Sequence, residues 1–153
     1  MRWRVVDDCL MIGGMSVEQL ARRVGRTPFY AYEREALAAR VALLRKHFPP
    51  GVELHYAMKA NPMPELVRFV GGIVDGLDVA SAGELAVALD AGAPASDISF
   101  AGPGKTETEL GAALAAGVLV NVESTREIHI LARMATGSGT TRGRAPGMRR
   151  AAA

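Results

Sequence analysis

Lys59 stands out chemically because of the stretch in which it lies. Residues 54–64 read LHYAMKANPMP, where apolar side chains alternate as in a β-strand until an Asn-Pro pair ends the pattern. We therefore predict a strand over residues 54–60 that places Ala57 and Lys59 on one face, where the small alanine leaves room for a flat ring beside the amine. A free lysine amine has a pKa of about 10.4; desolvation at a strand end lowers that pKa and permits Schiff-base formation with an aldehyde.

Spacing alone leaves other interpretations of the candidate residues open. Lys59 would equally be a strand-end lysine that reaches into solvent. Asp78, in the stretch GLDVAS, is either a carboxylate that pairs with a charged amine and orients it, or a solvated aspartate. Gly102, Gly104 and Lys105 form a loop that opens a helix and would hold an anion, although the spacing is not that of a phosphate loop. No histidines or carboxylates have metal-ligand spacing, so no metal site is predicted.

The elements that must position these residues form a repeat of strand, turn and helix. After residues 54–60, strands are predicted over 77–80, 98–101 and 118–122, with starts roughly 20 residues apart. Three of the four strands precede a capping box, which predicts a helix start. The boxes are Ser81 with Glu84, Thr106 with Glu109, and Ser124 with Glu127. Such a repeat builds either an open doubly wound sheet or a closed eight-stranded barrel, and periodicity does not choose between them.

The residues before this repeat are predicted to form a smaller β/α segment. The signals are two apolar runs broken by Asp-Asp, a Ser-Gln capping box, and a Thr-Pro pair before an apolar strand. In order, the predicted elements are strands over 3–6 and 9–12, a helix from Ser16 to about residue 24, a strand over 29–32 and a helix over 33–47.

The stretch YAMKAN, followed by GLDVASAGEL and FAGPGK, resembles the start of the fold-type III decarboxylases that use pyridoxal phosphate, the ornithine, diaminopimelate and arginine decarboxylase family. The resemblance covers roughly residues 11–131 and is greatest to a diaminopimelate-decarboxylase-like branch associated with exosortase gene clusters. It implies that Lys59 holds pyridoxal 5′-phosphate as an internal aldimine, with Ala57 and Asp78 beside the cofactor. The implied reaction is decarboxylation of an amino-acid substrate.

The same resemblance implies an α/β fold, the N-terminal portion of a TIM-type (β/α)8 barrel after a short N-terminal β segment, and a homodimer for a full-length member. A full barrel takes about 250 residues, so we expect this chain to be a truncated product with an incomplete barrel that is inactive alone. Two alternatives stay open: an amino-acid racemase of the same barrel class, and a non-catalytic module or pseudoenzyme that carries pyridoxal phosphate.

Composition and charge exclude several other classes of protein. The 153 residues are 49% hydrophobic, which is enough for one modest domain with a core. No apolar run approaches the 18 or so residues of a membrane span, and the N-terminus lacks the apolar stretch of a signal peptide, so we expect a cytoplasmic protein without a membrane partner. Cys9 is the single cysteine, which excludes an intrachain disulfide.

The net charge of +2 depends on the end of the chain. Four arginines lie within residues 136–153, and without them the charge is +2 − 4 = −2, so the body gives no basic face for nucleic acid. Residues 134–153 have no apolar period, which predicts a low-complexity, disordered tail. The predicted division of the chain is therefore an N-terminal segment over 1–32, a partial barrel over 33–133 and a tail over 134–153.

Overall fold

The structure of the chain is a computed structural model that describes residues 3–137 and 148–150. The chain divides into two compact units, residues 1–48 and residues 49–153. The boundary therefore falls after residue 48, whereas the sequence pattern suggested one after residue 32. The helix over residues 34–47 groups with the N-terminal strands. The amide of Gly13, in the turn between the second and third of these strands, donates a hydrogen bond to Glu33 Oε1, just before that helix. None of the helices in the described ranges is long and apolar enough to span a bilayer.

The first unit contains a three-stranded antiparallel sheet in the order β1-β2-β3 and two helices. Its elements are β1 (Arg4–Val6), β2 (Cys9–Ile12), β3 (Met15–Ser16), α1 (Val17–Val24) and α2 (Arg34–His47). The two strands predicted over 3–6 and 9–12 are present and pair as an antiparallel hairpin, and Asp7 and Asp8 form its turn with positive φ angles of 49° and 57°. The capping box of α1 is also confirmed, because Ser16 and Gln19 exchange both hydrogen bonds. 

The predicted strand over residues 29–32 is wrong. These residues have no regular secondary structure, and no strand in the described part of the chain pairs with them. An extended segment becomes a strand only when a neighbour satisfies its backbone groups, which the apolar pattern alone cannot guarantee. Tyr30 and Tyr32 are instead exposed, with their rings stacked at a centroid distance of 6.5 Å.

The second unit contains a parallel sheet whose strands follow the chain in the order β4-β5-β6-β7-β8. Its elements are β4 (His55–Ala57), α3 (Pro64–Gly71), β5 (Gly76–Val79), α4 (Ala82–Asp90), β6 (Ile98–Phe100), α5 (Glu107–Ala116), β7 (Leu119–Val122), α6 (Thr125–Gly137) and β8 (Met148–Arg150), with 3-10 turns at Met58–Ala60 and Ala95–Asp97. A doubly wound sheet reverses its strand order at a switch point, and no reversal occurs among these five strands. The described part of the sheet therefore has the topology of a barrel.

The predicted disordered tail is wrong for two of its segments. Helix α6 extends through Gly137, and residues Met148–Arg150 form β8, which pairs in parallel with β7. Strand pairing joins backbone groups, so the edge of β7 accepts a segment whose side chains have no apolar period. Residues 138–147 and 151–153 lie outside the described residues.

The core of the second unit lies between one face of the sheet and the helices. The buried apolar residues on that face alternate along the strands and meet buried residues from α4 and α5. They include Leu77, Val79, Ile98, Phe100 and Val120 from the strands, and Leu85, Ala88, Leu110 and Ala113 from the helices. This arrangement leaves the intervening strand residues on the other face of the sheet.

Candidate active site

A row of small and polar residues crosses three neighbouring strands on the face opposite the helices. Ala57 of β4 is in register with Asp78 of β5, and Asp78 is in register with Ser99 of β6. Adjacent strands lie about 4.8 Å apart, so residues in register on one face are direct neighbours. The structure therefore brings together Ala57 and Asp78, two of the three residues that the sequence analysis placed beside a cofactor.

The third residue, Lys59, lies outside the strand in which it was predicted. Strand β4 ends at Ala57, and Met58–Ala60 form a 3-10 turn, so the alternation that put Lys59 on the face of Ala57 does not apply. Asn61 closes this turn: its amide donates to Met58 O, and its carbonyl accepts from Tyr56 Oη, each at 3.0 Å. Lys59 still follows the carboxyl end of its strand directly, which is where functional groups of barrels lie.

The Lys59 side chain is exposed, whereas the sequence analysis expected a desolvated amine. The neighbouring Met58 takes the buried position of the turn and is fully inaccessible. No residue in the described ranges accepts a hydrogen bond from the Lys59 amine. The amine is therefore open to an incoming aldehyde, but burial by the described residues does not activate it.

Asp78 is held from the neighbouring strand. The hydroxyl of Ser99 donates a hydrogen bond of 2.7 Å from Oγ to Asp78 Oδ1. Ser99 is 7% exposed and is one of the few buried polar residues of the unit. Ser99 was not predicted as a site residue, although the run Ile98-Ser99-Phe100 carried a signal: a polar side chain between two apolar ones in a strand belongs to the opposite face.

Carboxylates bind the backbone of the loops that follow the strands. Glu84 Oε2 accepts from the Ala80 amide at 2.8 Å, and Glu109 Oε1 accepts from the amide of Ala82, the first residue of α4, at 3.2 Å. Glu84 thus has a structural role, as its capping box indicated, although it bonds the amide before its N-cap residue. These bonds tie the helix starts to the strand ends on the edge that carries Lys59.

The loop Ala101–Lys105 is fixed in a different way. The Gly102 amide donates to Glu123 Oε1 at 2.7 Å. The Lys105 ammonium is buried and donates to Gly102 O at 2.6 Å, to Asn121 O at 2.8 Å and to Glu127 Oε2 at 3.5 Å. An ammonium has three donors, and all three are used inside the protein. The anion-holding role considered for Lys105 is therefore wrong.

Glu109 illustrates the electrostatics of this edge. Its carboxylate completes a full capping box with Thr106, accepting from both the backbone amide and the hydroxyl at 2.9 Å. Hydrogen bonds from the Thr106 backbone, and then from its side chain, lower the pKa of the Glu109 carboxyl. Across the described residues, no group of three His, Cys, Asp or Glu side chains is arranged to hold a metal ion.

These residues fit an aldehyde cofactor with a flat ring. The exposed amine would supply the group that condenses with the aldehyde, and Ala57 adds only a methyl group to the neighbouring sheet face. The Asp78 carboxylate lies in the same row and would stabilise a positively charged nitrogen. The part of the chain that the structure describes thus contains an exposed amine, a small side chain and a carboxylate near the carboxyl ends of two neighbouring strands.

This chain is similar to known proteins over most of its length. Residues 34–142 match the family model described as pyridoxal-dependent decarboxylase, pyridoxal binding domain. The chain is 42% identical over 130 residues to the diaminopimelate decarboxylase of Aquifex aeolicus, covering 84% of this chain and 30% of that protein. It is 36% identical over 110 residues to the L-glutamyl-[BtrI acyl-carrier protein] decarboxylase of Niallia circulans, covering 71% and 26%.

Solved structures give the same result. The crystal structure of diaminopimelate decarboxylase from M. jannaschii in complex with L-lysine superposes with a TM-score of 0.81 at 26% identity. The superposition covers 97% of this chain and 35% of that chain. The chain therefore spans about a third, or less, of the length of the proteins to which it is similar.

Proposed function

Because this chain belongs to the pyridoxal-dependent decarboxylases, as the match of residues 34–142 to their pyridoxal-binding domain shows, we propose that it holds the cofactor for the decarboxylation of an amino acid of the diaminopimelate or ornithine type. The observation that carries the proposal is the placement of Lys59 at the carboxyl end of β4, beside the row of Ala57 and Asp78, within a segment 42% identical to a diaminopimelate decarboxylase. In this proposal Lys59 holds the cofactor as a Schiff base.

Each residue has a distinct part in the proposed chemistry. Pyridoxal phosphate supplies, when bound, an electron sink for the electron pair released as carbon dioxide leaves. The Lys59 amine would hold the cofactor covalently at the carboxyl end of the sheet. Asp78 pairs with the positive charge on the attached nitrogen and keeps that nitrogen protonated. Ala57 leaves the space that a larger side chain would fill.

The relatives favour decarboxylation over racemisation, but they act on different substrates and do not identify one for this chain. The two relatives and the solved structure described above are decarboxylases, yet one acts on diaminopimelate and another on a glutamyl group attached to a carrier protein. We infer that the segment common to both serves the shared cofactor chemistry rather than the choice of substrate. We propose an amino acid as the substrate class, and a homodimer as the assembly of a protein of the relatives' length. The narrower branch suggested by the sequence stays a prediction.

Borohydride trapping tests the attachment point. The chain is incubated with pyridoxal phosphate, reduced with borohydride and mapped by peptide mass spectrometry; we expect the label on Lys59. The chain has two other lysines, which serve as internal controls: Lys46 is exposed on α2, and Lys105 is buried. Lys59→Ala should abolish specific labelling, whereas Lys46→Ala should leave it unchanged. A label that persists in Lys59→Ala, or that maps mainly to Lys46, would refute the proposal.

A further inference from the structure

Ser99 is the buried polar residue closest to the proposed cofactor site that has no assigned role. We infer that Ser99 is a positioning residue, which orients the Asp78 carboxylate toward the nitrogen of Lys59; this inference rests on the proposed function. The bond from Ser99 Oγ to Asp78 Oδ1 is 2.7 Å long, and Ser99 is only 7% exposed. Water therefore competes little for the Ser99 hydroxyl.

The bond leaves the Asp78 carboxylate with one tied oxygen and one open oxygen. A serine hydroxyl has a single hydrogen, and the hydrogen of Ser99 is used at Oδ1. In the described part of the chain, Oδ2 of Asp78 accepts no hydrogen bond. An aspartate side chain has three staggered χ1 rotamers and a broad terminal torsion, so without the bond from Ser99 the Asp78 side chain would populate several χ1 rotamers and carboxylate orientations. Tying Oδ1 selects one of them and makes Oδ2 the oxygen available to a positive nitrogen.

The chemical type of the donor also matters. An arginine or lysine in place of Ser99 would compete with the Lys59 nitrogen for the negative charge of Asp78. A neutral hydroxyl orients the carboxylate and leaves its full charge in place. No ion pair within the described residues involves Asp78, so its charge is not neutralised by a neighbouring cation there. With only the Ser99 hydroxyl bonded to it, the Asp78 carboxylate can pair with a positively charged nitrogen that binds beside it.

Two variants of nearly the same shape as each other separate the effect of the hydroxyl from the effect of side-chain volume at position 99. Ser99→Thr keeps the hydroxyl, and Ser99→Val has the same shape without it; both fit a strand. In the chain without cofactor, NMR coupling constants report whether Asp78 occupies one side-chain rotamer. We expect one rotamer in the parent chain and in Ser99→Thr, and averaging in Ser99→Val. If Asp78 keeps a single rotamer in Ser99→Val, the inference is wrong.

The second readout is the concentration of pyridoxal phosphate that gives half-maximal borohydride trapping at Lys59. A hydrogen bond to a charged group has a net effect of roughly tenfold on an equilibrium, so we expect Ser99→Val to need about fivefold to tenfold more cofactor. Ser99→Thr should stay within about twofold of the parent. In a chain that already carries Asp78→Asn, Ser99→Val should not raise this cofactor concentration further, because the hydroxyl acts through Asp78.

The outcomes distinguish the inference from the proposed function. If the parent chain is not trapped at Lys59, the proposed function fails, and the rotamer measurement still decides whether Ser99 orients Asp78. If the parent chain is trapped at Lys59 but Ser99→Val needs no more cofactor than the parent, the inference is wrong and the proposed function stands. The same holds if Ser99→Val weakens trapping by the same factor with Asp78 and with Asn at position 78. Far-UV circular dichroism checks folding, and Ser99→Ala replaces Ser99→Val in both measurements if the valine variant does not fold.

Discussion

Two lysines at the carboxyl end of the sheet show how environment decides what an amine can do. Lys59 is exposed and bonded to no described residue, so its nitrogen can be approached by an aldehyde. The Lys105 nitrogen is buried and donates all three hydrogens to oxygens of the protein. A nucleophilic amine needs both access and a free electron pair, and the bonding of Lys105 denies it both. The same residue type thus serves attachment at one position and structure at the other.

Glu109 gives the chain a predictable dependence of stability on pH. Because hydrogen bonds from Thr106 lower the pKa of the folded carboxyl below its ordinary value of 4.5, the ionised form stabilises the fold above about that pH. This stabilisation is lost as the pH falls through the lowered pKa. We expect Glu109→Gln to be less stable than the parent at pH 7, by less than about 1 kcal/mol because the carboxylate is largely solvated, and the difference to be smaller at pH 3.

Urea unfolding of both proteins at the two pH values measures this difference in free energy. Glu107→Gln is the matched control, because Glu107 lies on the same helix and its bond is an exposed ion pair with Arg133. A Glu109→Gln difference that grows toward low pH would have the wrong sign and would rule out the stated cause.

At the scale of elements, the predictions that held were those made by local signals. The capping boxes of α1 and α5 were predictable because both partners lie within four residues and bond each other in the folded chain. The end of β4 was not predictable, because the 3-10 turn depends on bonds that Asn61 makes with Met58 and Tyr56. The alternation of apolar residues in the sequence continues past Ala57, where the strand ends. Lys59 was therefore predicted to lie in the strand, whereas it lies in the 3-10 turn that follows.

The buried pair of Lys105 and Glu127 should control the stability of the second unit. Lys105→Met leaves the Glu127 carboxylate buried without its cation and frees the carbonyls of Gly102 and Asn121. One oxygen of that carboxylate, Oε1, already lacks a hydrogen-bond partner among the described residues. Removing one partner of a buried ion pair costs about 3–5 kcal/mol, so we expect a loss of that size in the free energy of unfolding.

An exposed ion pair supplies the comparison. Arg133 and Glu107 join α5 and α6 at 2.7 Å with both side chains more than half exposed, so Arg133→Ala should cost less than about 1 kcal/mol. Denaturant unfolding of the two variants measures both losses. If Lys105→Met were no more damaging than Arg133→Ala, the loop after β6 would not depend on the Lys105 ammonium.

Gly76, the first residue of β5, is required by close packing at the start of the sheet. A Cβ atom there would lie 2.5 Å from Asp97 O and 2.6 Å from His55 Cε1, and a backbone carbonyl cannot easily move away. We expect Gly76→Ala to destabilise the chain by about 1–3 kcal/mol in urea unfolding. Gly104 is the control, because a Cβ atom there meets nothing within 4 Å. Equal stability of the two alanine variants would contradict this account.

At the scale of the whole molecule, connectivity had to come from the structure. The sequence predicted the repeat of strand and helix, but only the strand order β4-β5-β6-β7-β8 distinguishes the start of a barrel from a doubly wound sheet. Pairing of Met148–Arg150 with β7 was equally beyond the sequence, because it joins backbone groups across more than 20 residues without an apolar pattern. The row of Ala57, Asp78 and Ser99 likewise exists only through register between strands.

The number of described strands leads to the last prediction. Catalytic groups of an eight-stranded barrel come from the ends of several strands around the ring, and the described residues supply five strands. We therefore expect this 153-residue chain to be labelled at Lys59 yet to release no carbon dioxide from diaminopimelate or L-lysine. The measurement is release of labelled carbon dioxide, with the Aquifex aeolicus diaminopimelate decarboxylase as the positive control. Release that Lys59→Ala abolishes would show that five strands suffice for the reaction.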